Sequence, residues 1–177
     1  MATKNMLLAG FGGQGILFAA KVAAYAGLME EKQVSWLPSY GPEMRGGTAN
    51  CSVCISDEPI GSPLVLAPDI LVVMNVQSFD KFIDTVVPGG TAIVDSSLID
   101  KRTDRDDISV FYIDATKQAN ANGLAGLANI IMLGKMLGET AFTTEEMIEK
   151  ALRKCVPASK QHLLEPNMKA IRLGMSL

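Results

Sequence analysis

The sequence predicts a single α/β domain in which a mostly parallel β-sheet lies between two layers of helices. Short apolar segments alternate with segments of helical pattern along the chain, which is the order that parallel sheets with crossover helices require. Several of the predicted strands are apolar without alternation, as strands buried on both faces are. The chain has 177 residues, of which 48% are hydrophobic. That is enough for one sizeable core.

Six segments are predicted as strands from their short apolar runs and flanking turn residues. The run over residues 69–75 is the clearest, because it is rich in β-branched side chains. Pro38 is expected to end the second strand. The predicted strands cover residues 6–9, 34–37, 48–55, 69–75, 91–95 and 110–114.

Helices are predicted between and after these strands. Ala19, Ala23 and Gly27 are four residues apart, so they place small residues on one helical face and let the helix lie close to a sheet. Thr143 and Glu146 have the spacing of a capping box. The predicted helices cover residues 16–28, 78–87, 124–137, 143–153 and 159–173, with further helix from residue 116. No linker or internal repeat interrupts the sequence, so residues 1–177 are expected to form one domain.

Composition and charge exclude several functional classes. Sixteen basic and nineteen acidic residues give a net charge of -3 without a basic patch, which disfavours nucleic-acid binding. No run of about 18 apolar residues is present, so no membrane span is expected. The three cysteines are an odd number in a chain that does not need disulfides. This usage is typical of a reducing compartment, and we expect the protein to be cytoplasmic.

A glycine-rich segment follows the first predicted strand. Gly10, Gly12 and Gly15 match the G-x-G-x-x-G spacing and lie between a strand and a helix, as in Rossmann-like folds. The spacing fits phosphate or dinucleotide binding at a helix N-terminus, and it fits a tight strand–helix turn equally well. A conventional NAD site is disfavoured, because the second strand ends without the acidic residue that holds the ribose.

A second glycine-rich loop, residues 39–47, follows the second strand. If the first two strands are parallel neighbours, the two loops converge at one edge of the sheet. Arg45 then is a candidate clamp for a carboxylate or phosphate, although an internal ion pair with Glu43 or a free surface arginine is as plausible. Asn75, Asp95 and Asp114 also follow strands, and they are expected to cap the next helices.

The remaining chemistry-bearing residues give weak signals. Cys51 and Cys54 have the spacing of a metal or redox motif, but they lie within a predicted strand. Residues three apart on a strand point to opposite faces, so we expect two buried core thiols rather than a site. His162 is the only histidine, which leaves no basis for a histidine-rich metal site or a Ser-His-Asp triad.

Together, the two glycine-rich loops closely resemble those of the gamma subunit of the 2-oxoacid:ferredoxin oxidoreductases. The resemblance covers essentially the whole chain, including the Pro-Gly-Gly turn after residue 87 and the final amphipathic helix. The size of the chain is most similar to the small, separate gamma subunit of a 2-oxoglutarate-type enzyme. The same module forms a domain of pyruvate and indolepyruvate oxidoreductases.

The resemblance implies a complex that decarboxylates a 2-oxoacid on thiamine diphosphate, passes electrons through iron–sulfur clusters to ferredoxin and transfers the acyl group to coenzyme A. A [4Fe–4S] cluster needs four thiolates, and this chain has three cysteines at unsuitable spacing. It also has no Gly-Asp-Gly segment for a magnesium–diphosphate site. The resemblance therefore implies that these cofactors are held by partner alpha and beta subunits, often with a small ferredoxin-like delta subunit.

The resemblance also implies that this chain covers the active site and contributes to a coenzyme A groove. Neither a catalytic residue nor a metal ligand is assigned to it. The residues expected to contact coenzyme A or the active site come from the two loops: Gly10, Gly12, Gly13, Gln14, Gly15, Ser39, Tyr40, Gly41, Pro42, Glu43, Arg45, Gly46 and Gly47.

Two other interpretations stay open. A self-sufficient nucleotide-binding domain, such as a sensor or small dehydrogenase, would use the first glycine loop conventionally. A pure scaffold would contact no ligand. A subunit is expected to expose an apolar face to its partners, and the candidates are the apolar faces of the last two helices and the loop around Trp36.

Overall fold

The computed structural model describes residues 3–39 and 48–177. Its strands are β1 (Lys4–Phe11), β2 (Gln33–Ser39), β3 (Thr48–Ser56), β4 (Ile70–Val73), β5 (Thr91–Asp95) and β6 (Ser109–Ile113). They form one sheet in the order β2-β3-β1-β4-β5-β6. The β1, β4, β5 and β6 strands are mutually parallel, and β3 is antiparallel to both of its neighbours. The predicted α/β fold with a mostly parallel sheet is confirmed.

The first two strands are not the parallel neighbours that the sequence suggested. β3 lies between them and pairs antiparallel with each. β1 and β2 still run in the same direction, so both end at one edge of the sheet, which we call the carboxyl edge. Pro38 lies within β2 instead of ending it. β2 is an edge strand, where proline is tolerated because one side of the strand has no partner.

The helices are α1 (Ile16–Met29), α2 (Val76–Phe82), α3 (Ala115–Ala121), α4 (Ala128–Thr140), α5 (Glu145–Cys155) and α6 (Leu164–Ser176). Two 3₁₀ helices cover Ile83–Thr85 and Ala158–Leu163. α4 begins later than predicted, since Gly123 and Gly126 adopt positive φ and form a turn before it. Thr144, not Thr143, caps α5 by accepting the Met147 N–H. None of the helices in the described part of the chain combines the length and apolar character of a membrane span.

The two faces of the sheet are covered unequally. The first face, which carries Met6 and Leu8, packs against residues of α1, α3, α4, α5 and α6. The second face, which carries Leu7 and Ala9, packs against α2, the 3₁₀ helix after it and a few buried loop residues. These layers give the three-layer arrangement, with most of the helical mass on one side.

The apolar faces of the last two helices are buried inside the chain, so the expectation that they form an interface is wrong. Ile148 and Leu152 of α5 and Ile171 of α6 are fully buried in the first-face core. α5 packs on α1, and α6 packs on α4. Trp36 is 41% exposed, but it lies within β2 and not in a loop.

Glycines let α4 and α6 cross with their backbones in contact. A Cβ atom at Gly134 of α4 would lie 2.2 Å from the Ile171 carbonyl oxygen of α6. A Cβ atom at Gly174 would lie 2.0 Å from the Ile131 carbonyl oxygen. Real Cβ atoms do not approach backbone this closely, so any larger residue must push the two helices apart.

We expect Gly134→Ala to lower the free energy of unfolding by about 1–3 kcal/mol, because the added methyl group overpacks the crossing. Gly138→Ala is the matched control in the same helix. Its Cβ would lie 3.4 Å or more from α6, and alanine is the better helix former, so stability should hold or rise. Urea denaturation of both variants measures the difference. Equal stability of the two variants would contradict this account of the crossing.

Candidate functional site

A glycine-rich turn and several polar residues lie at the carboxyl edge, where the parallel strands end. The turn of residues 10–15, which we call the glycine turn, joins β1 to α1. Asn75 follows β4, Asp95 ends β5, and Asp114 follows β6. In open α/β sheets, ligands bind outside this edge, so these segments define the candidate site.

Glycine is required at two positions of the glycine turn by close contacts. A Cβ atom at Gly10 would lie 2.5 Å from the Gln14 Oε1 atom. A Cβ atom at Gly15 would lie 2.4 Å from the Asn129 Nδ2 atom, and Gly15 also adopts a left-handed φ of 76° as it begins α1. Gly12 and Gly13 are exposed to solvent. They leave the backbone of the turn open to a ligand.

The side chain of Gln14 holds the turn in place. Its Oε1 atom accepts the Phe11 N–H at 2.6 Å, and its Nε2 atom donates to the Met74 carbonyl at 2.8 Å. The amide therefore connects the turn after β1 with the end of β4. Gln14 also lines the cleft described below. Because its side-chain amide forms hydrogen bonds within the chain, Gln14 holds that wall of the cleft in position.

Gln14→Glu should destabilise the protein by about 1–3 kcal/mol, because a carboxylate cannot donate to the Met74 carbonyl and leaves it without that partner. Gln77→Glu is the matched control. Gln77 is an exposed residue in the first turn of α2, where an acidic side chain is favoured. Thermal denaturation at neutral pH compares the two, and a Gln14→Glu melting temperature no lower than that of the control would contradict the role of Gln14.

A cleft of about 200 Å³ opens beside the glycine turn. It lies between this turn, α3 and the start of α4. Sequence reasoning found only its glycine-turn wall, since the other residues come from distant segments that only the topology brings together. The lining residues are Gly13, Gln14, Met74, Leu98, Thr116, Ala119, Asn120, Gly126 and Ala128.

The helix ends at this cleft favour an anionic ligand. In the described residues, α1 and α4 begin without a side-chain cap and without an acidic residue in the first turn. Their first N–H groups lack intrahelical acceptors and carry the positive end of the helix dipole. α3 differs, since the Thr116 N–H and hydroxyl both donate to the buried Asp95 carboxylate, at 3.2 and 2.5 Å. The cleft therefore suits phosphate or carboxylate groups at its α1 and α4 sides.

The three polar residues that were expected to cap helices do not all do so. Asn75 caps α2 as predicted, with its Oδ1 atom accepting the Ser78 N–H at 2.7 Å. Asp95 accepts from the start of α3, which begins twenty residues later in the chain. Asp114 was expected to cap α3, and this is wrong. It precedes that helix without a capping bond and accepts instead from the Gln118 side chain at 3.1 Å.

The second loop begins and ends at the carboxyl edge. Ser39 is exposed at the end of β2 and pairs with Asn50, while Thr48 begins β3 and pairs with Phe11 of the glycine turn. Both ends of the loop are therefore next to the site, although β1 and β2 are not neighbours. Its other predicted contact residues lie outside the described residues: Tyr40, Gly41, Pro42, Glu43, Arg45, Gly46 and Gly47.

The cysteines form no metal or redox centre in the described part of the chain. Cys51 packs in the first-face core and Cys54 in the second-face core, which confirms that their side chains point in opposite directions. Burial raises the pKa of the Cys51 thiol to about 12. Within the described residues, no group of three or more potential metal ligands comes together.

Alkylation should distinguish the three thiols. At pH 8 we expect the native protein to be labelled slowly at half-buried Cys155, because burial raises the pKa of this thiol too, and not at Cys51, which is inaccessible and is kept protonated by its raised pKa. Cys51 and Cys54 should react only after unfolding. Peptide mass spectrometry after iodoacetamide treatment locates the labels. Labelling of native Cys51 at the rate of Cys155 would contradict the buried-thiol interpretation.

Comparison with known proteins places the chain in one family. Residues 5–177 match the family described as pyruvate ferredoxin/flavodoxin oxidoreductase. The 2-oxoglutarate synthase subunit KorC of Methanocaldococcus jannaschii is 39% identical, over 97% of this chain and 91% of KorC. The ketoisovalerate oxidoreductase subunit VorA of Methanothermobacter thermautotrophicus is also 39% identical, over 94% of this chain. The chain spans only about a third (35%) of VorA.

Solved structures share the fold. The gamma subunit of a keto/oxoacid ferredoxin oxidoreductase from Geobacter sulfurreducens is 30% identical with a TM-score of 0.84, over 98% of this chain and 96% of that one. A 2-oxoglutarate:ferredoxin oxidoreductase from Magnetococcus marinus, solved with 2-oxoglutarate, coenzyme A and succinyl-CoA bound, has a TM-score of 0.87 at 20% identity. That match covers 99% of this chain and 31% of the other.

Proposed function

The chain belongs to the pyruvate ferredoxin/flavodoxin oxidoreductase family, and we propose that it is the gamma subunit of a coenzyme A-dependent 2-oxoacid:ferredoxin oxidoreductase. The observation that carries this proposal is the cleft at the carboxyl edge, next to the glycine turn, in a chain that matches the family almost from end to end. The proposed substrate is 2-oxoglutarate. The similarity to KorC over nearly the whole length of both chains supports that substrate.

The chemistry of the cleft supports coenzyme A as the ligand. Coenzyme A carries a diphosphate and a further phosphate, and the uncapped starts of α1 and α4 offer N–H groups to such anions. Exposed Gly12 and Gly13 allow close approach to the backbone. In this proposal the second loop forms the adjoining wall, with Arg45 as the ionic contact.

The proposed division of labour assigns the redox chemistry to partner chains. Thiamine diphosphate with magnesium supplies the decarboxylation chemistry and iron–sulfur clusters supply the electron path to ferredoxin, on alpha and beta subunits and a ferredoxin-like subunit. Two features support this assignment. The chain has only three cysteines, and two of them are buried on opposite faces of the sheet. The chain's own contribution is positional: it covers the active site, excludes water and orients the thiol of coenzyme A.

The alternative of a stand-alone NAD-binding domain has less support. Such a domain holds the ribose with an acidic residue at the end of its second strand. β2 instead ends in Leu37, Pro38 and Ser39. Glu30, which precedes β2, accepts a hydrogen bond from the Thr143 hydroxyl at 2.6 Å.

Purification of the tagged chain from its native cell tests the assignment. The expected result is co-purification of the larger oxidoreductase subunits, identified by mass spectrometry, together with reduction of a viologen acceptor that depends on coenzyme A and 2-oxoglutarate. Parallel assays with pyruvate and branched 2-oxoacids test the substrate. A chain that recruits no such subunit and binds NAD by itself would refute the proposal in favour of the alternative.

The Arg45 contact is tested in the assembled complex. We expect Arg45→Ala to raise the KM for coenzyme A about tenfold, the loss of roughly one charge-assisted hydrogen bond, without changing the KM for the 2-oxoacid. Arg172→Ala is the control. Arg172 pairs with Glu145 of α5, on the helices of the first face. Unchanged coenzyme A affinity and turnover in Arg45→Ala would remove Arg45 from the site.

A further inference from the structure

Asn129 joins the first turns of α1 and α4. It is the second residue of α4 and is 5% exposed. Its Nδ2 atom donates to the carbonyl oxygen of Gly15, the residue that precedes α1, at 2.9 Å. The contact is tight, because a Cβ atom at Gly15 would lie 2.4 Å from that nitrogen. The asparagine amide therefore sets how far apart the two helix starts lie.

This hydrogen bond is not needed to pair the Gly15 carbonyl. The same oxygen already accepts the Ala19 N–H at 3.0 Å, as the first bond of α1. The other polar atom of the amide gains nothing, since Asn129 Oδ1 is buried without a hydrogen-bond partner in the described part of the chain. A buried acceptor left unpaired costs at least as much free energy as one hydrogen bond contributes. What the side chain supplies is therefore position rather than stability.

The positions that Asn129 fixes border the cleft. Gln14 and Ala128, which precede the two bonded residues in the chain, both line it. The first N–H groups of α1 and α4 point out of their helix starts and lack intrahelical acceptors. Their separation is set by this one side-chain contact. Two phosphate groups joined in one molecule can bind both sets of N–H groups only if that separation matches the distance between the phosphates.

The third helix start at the cleft, that of α3, is unsuitable for phosphate. Asp95 is fully buried beside it and bonds to Thr116, which lines the cleft. Within the described ranges, the hydrogen-bond partners of the Asp95 carboxylate are all uncharged: the N–H and hydroxyl of Thr116 and the Ser97 N–H. A buried carboxylate without a cationic partner repels anions strongly, because little water screens it. Phosphates are therefore directed to the α1 and α4 sides of the cleft.

We propose that Asn129 is a positioning residue for coenzyme A, and that it holds the starts of α1 and α4 where both contact the linked phosphates of one coenzyme molecule. This inference rests on the proposed function. In this arrangement the diphosphate bridges the glycine turn and the start of α4. Asn129 touches neither the thiol nor the reacting atoms. Its loss should therefore weaken coenzyme binding without slowing the chemistry at saturation.

Asn129→Leu tests the proposal in the assembled complex. Leucine has nearly the shape of asparagine but donates no hydrogen bond. We expect the KM for coenzyme A to rise at least about tenfold, with the turnover at saturation and the KM for the 2-oxoacid unchanged. The melting temperature of the isolated variant should hold, because an apolar group of similar shape replaces a poorly paired amide. Asn129→Ala, which removes the same donor without adding bulk, should show the same rise in KM.

Asn167→Leu is the matched control. Asn167 is 3% exposed on α6, donates from Nδ2 to the Leu163 carbonyl at 2.7 Å and also leaves its Oδ1 atom unpaired within the described residues. Among the described residues that line the cleft, none belongs to α6. The control should therefore keep the wild-type KM for coenzyme A.

Three outcomes of this comparison overturn the inference: no rise in KM in the Asn129 variants, an equal rise in Asn167→Leu, or loss of assembly in both Asn129 variants but not in the control. The last outcome would give Asn129 a purely structural role. A wild-type complex whose turnover does not depend on coenzyme A would instead overturn the proposed function itself.

Inhibition by the phosphate-bearing half of coenzyme A gives a second test, which begins with the wild-type complex. Adenosine 3′-phosphate 5′-diphosphate should compete with coenzyme A, whereas adenosine, which lacks phosphates, should not. In Asn129→Leu the inhibition constant of this diphosphate should rise by the same factor as the KM for coenzyme A. Failure of the diphosphate to compete in the wild type, or an unchanged inhibition constant in the variant, would contradict the role of Asn129.

Discussion

The contact between Gly15 and Asn129 fixes the geometry on which the candidate site depends. Gly15 begins α1 in a left-handed conformation, and its missing Cβ leaves the space that the Asn129 amide occupies. Asn129 in turn donates to the Gly15 carbonyl at 2.9 Å. This contact joins the first turns of α1 and α4, two helices far apart in sequence. Because of it, both helix N-termini open onto one cleft.

The unequal cover of the two sheet faces follows from how the helices pack. Small residues let α1 lie on the sheet, and the contacts of Gly134 with Ile171 and of Gly174 with Ile131 let α6 lie directly on α4. The apolar faces of α5 and α6 are therefore buried in the chain's own core. The opposite face has a thinner cover, since α2 has only seven residues and a loop lies where the first face has helices.

The sequence predicts the elements of this fold more fully than their arrangement. Apolar runs locate all six strands, and the glycine spacing locates the turn before α1. Strand order was missed because an antiparallel β3 has the same local pattern as a parallel strand, so only tertiary pairing separates β1 from β2. The prediction that Pro38 ends β2 was wrong for a related reason. Whether proline ends a strand depends on whether that strand is central or at the edge of the sheet.

The candidate site was predictable only along its first wall. The glycine spacing of residues 10–15 is a recognisable motif with a physical reason. Thr116, Asn120 and Gly126 belong to no such motif. Thr116 approaches the site because Asp95, buried at the end of β5, accepts from it across twenty intervening residues. The prediction that the last two helices form an interface was wrong. An amphipathic pattern predicts that one face of a helix is buried, but it does not say whether the chain itself or a partner buries that face.

We propose that the carboxyl edge of this sheet faces the coenzyme A site of a larger enzyme. Electron cryomicroscopy of the native complex with coenzyme A bound tests it most directly. We expect density for the coenzyme phosphates against the glycine turn and the start of α4, with another subunit closing over the edge. Coenzyme A bound wholly by other chains, with this edge open to solvent, would contradict it.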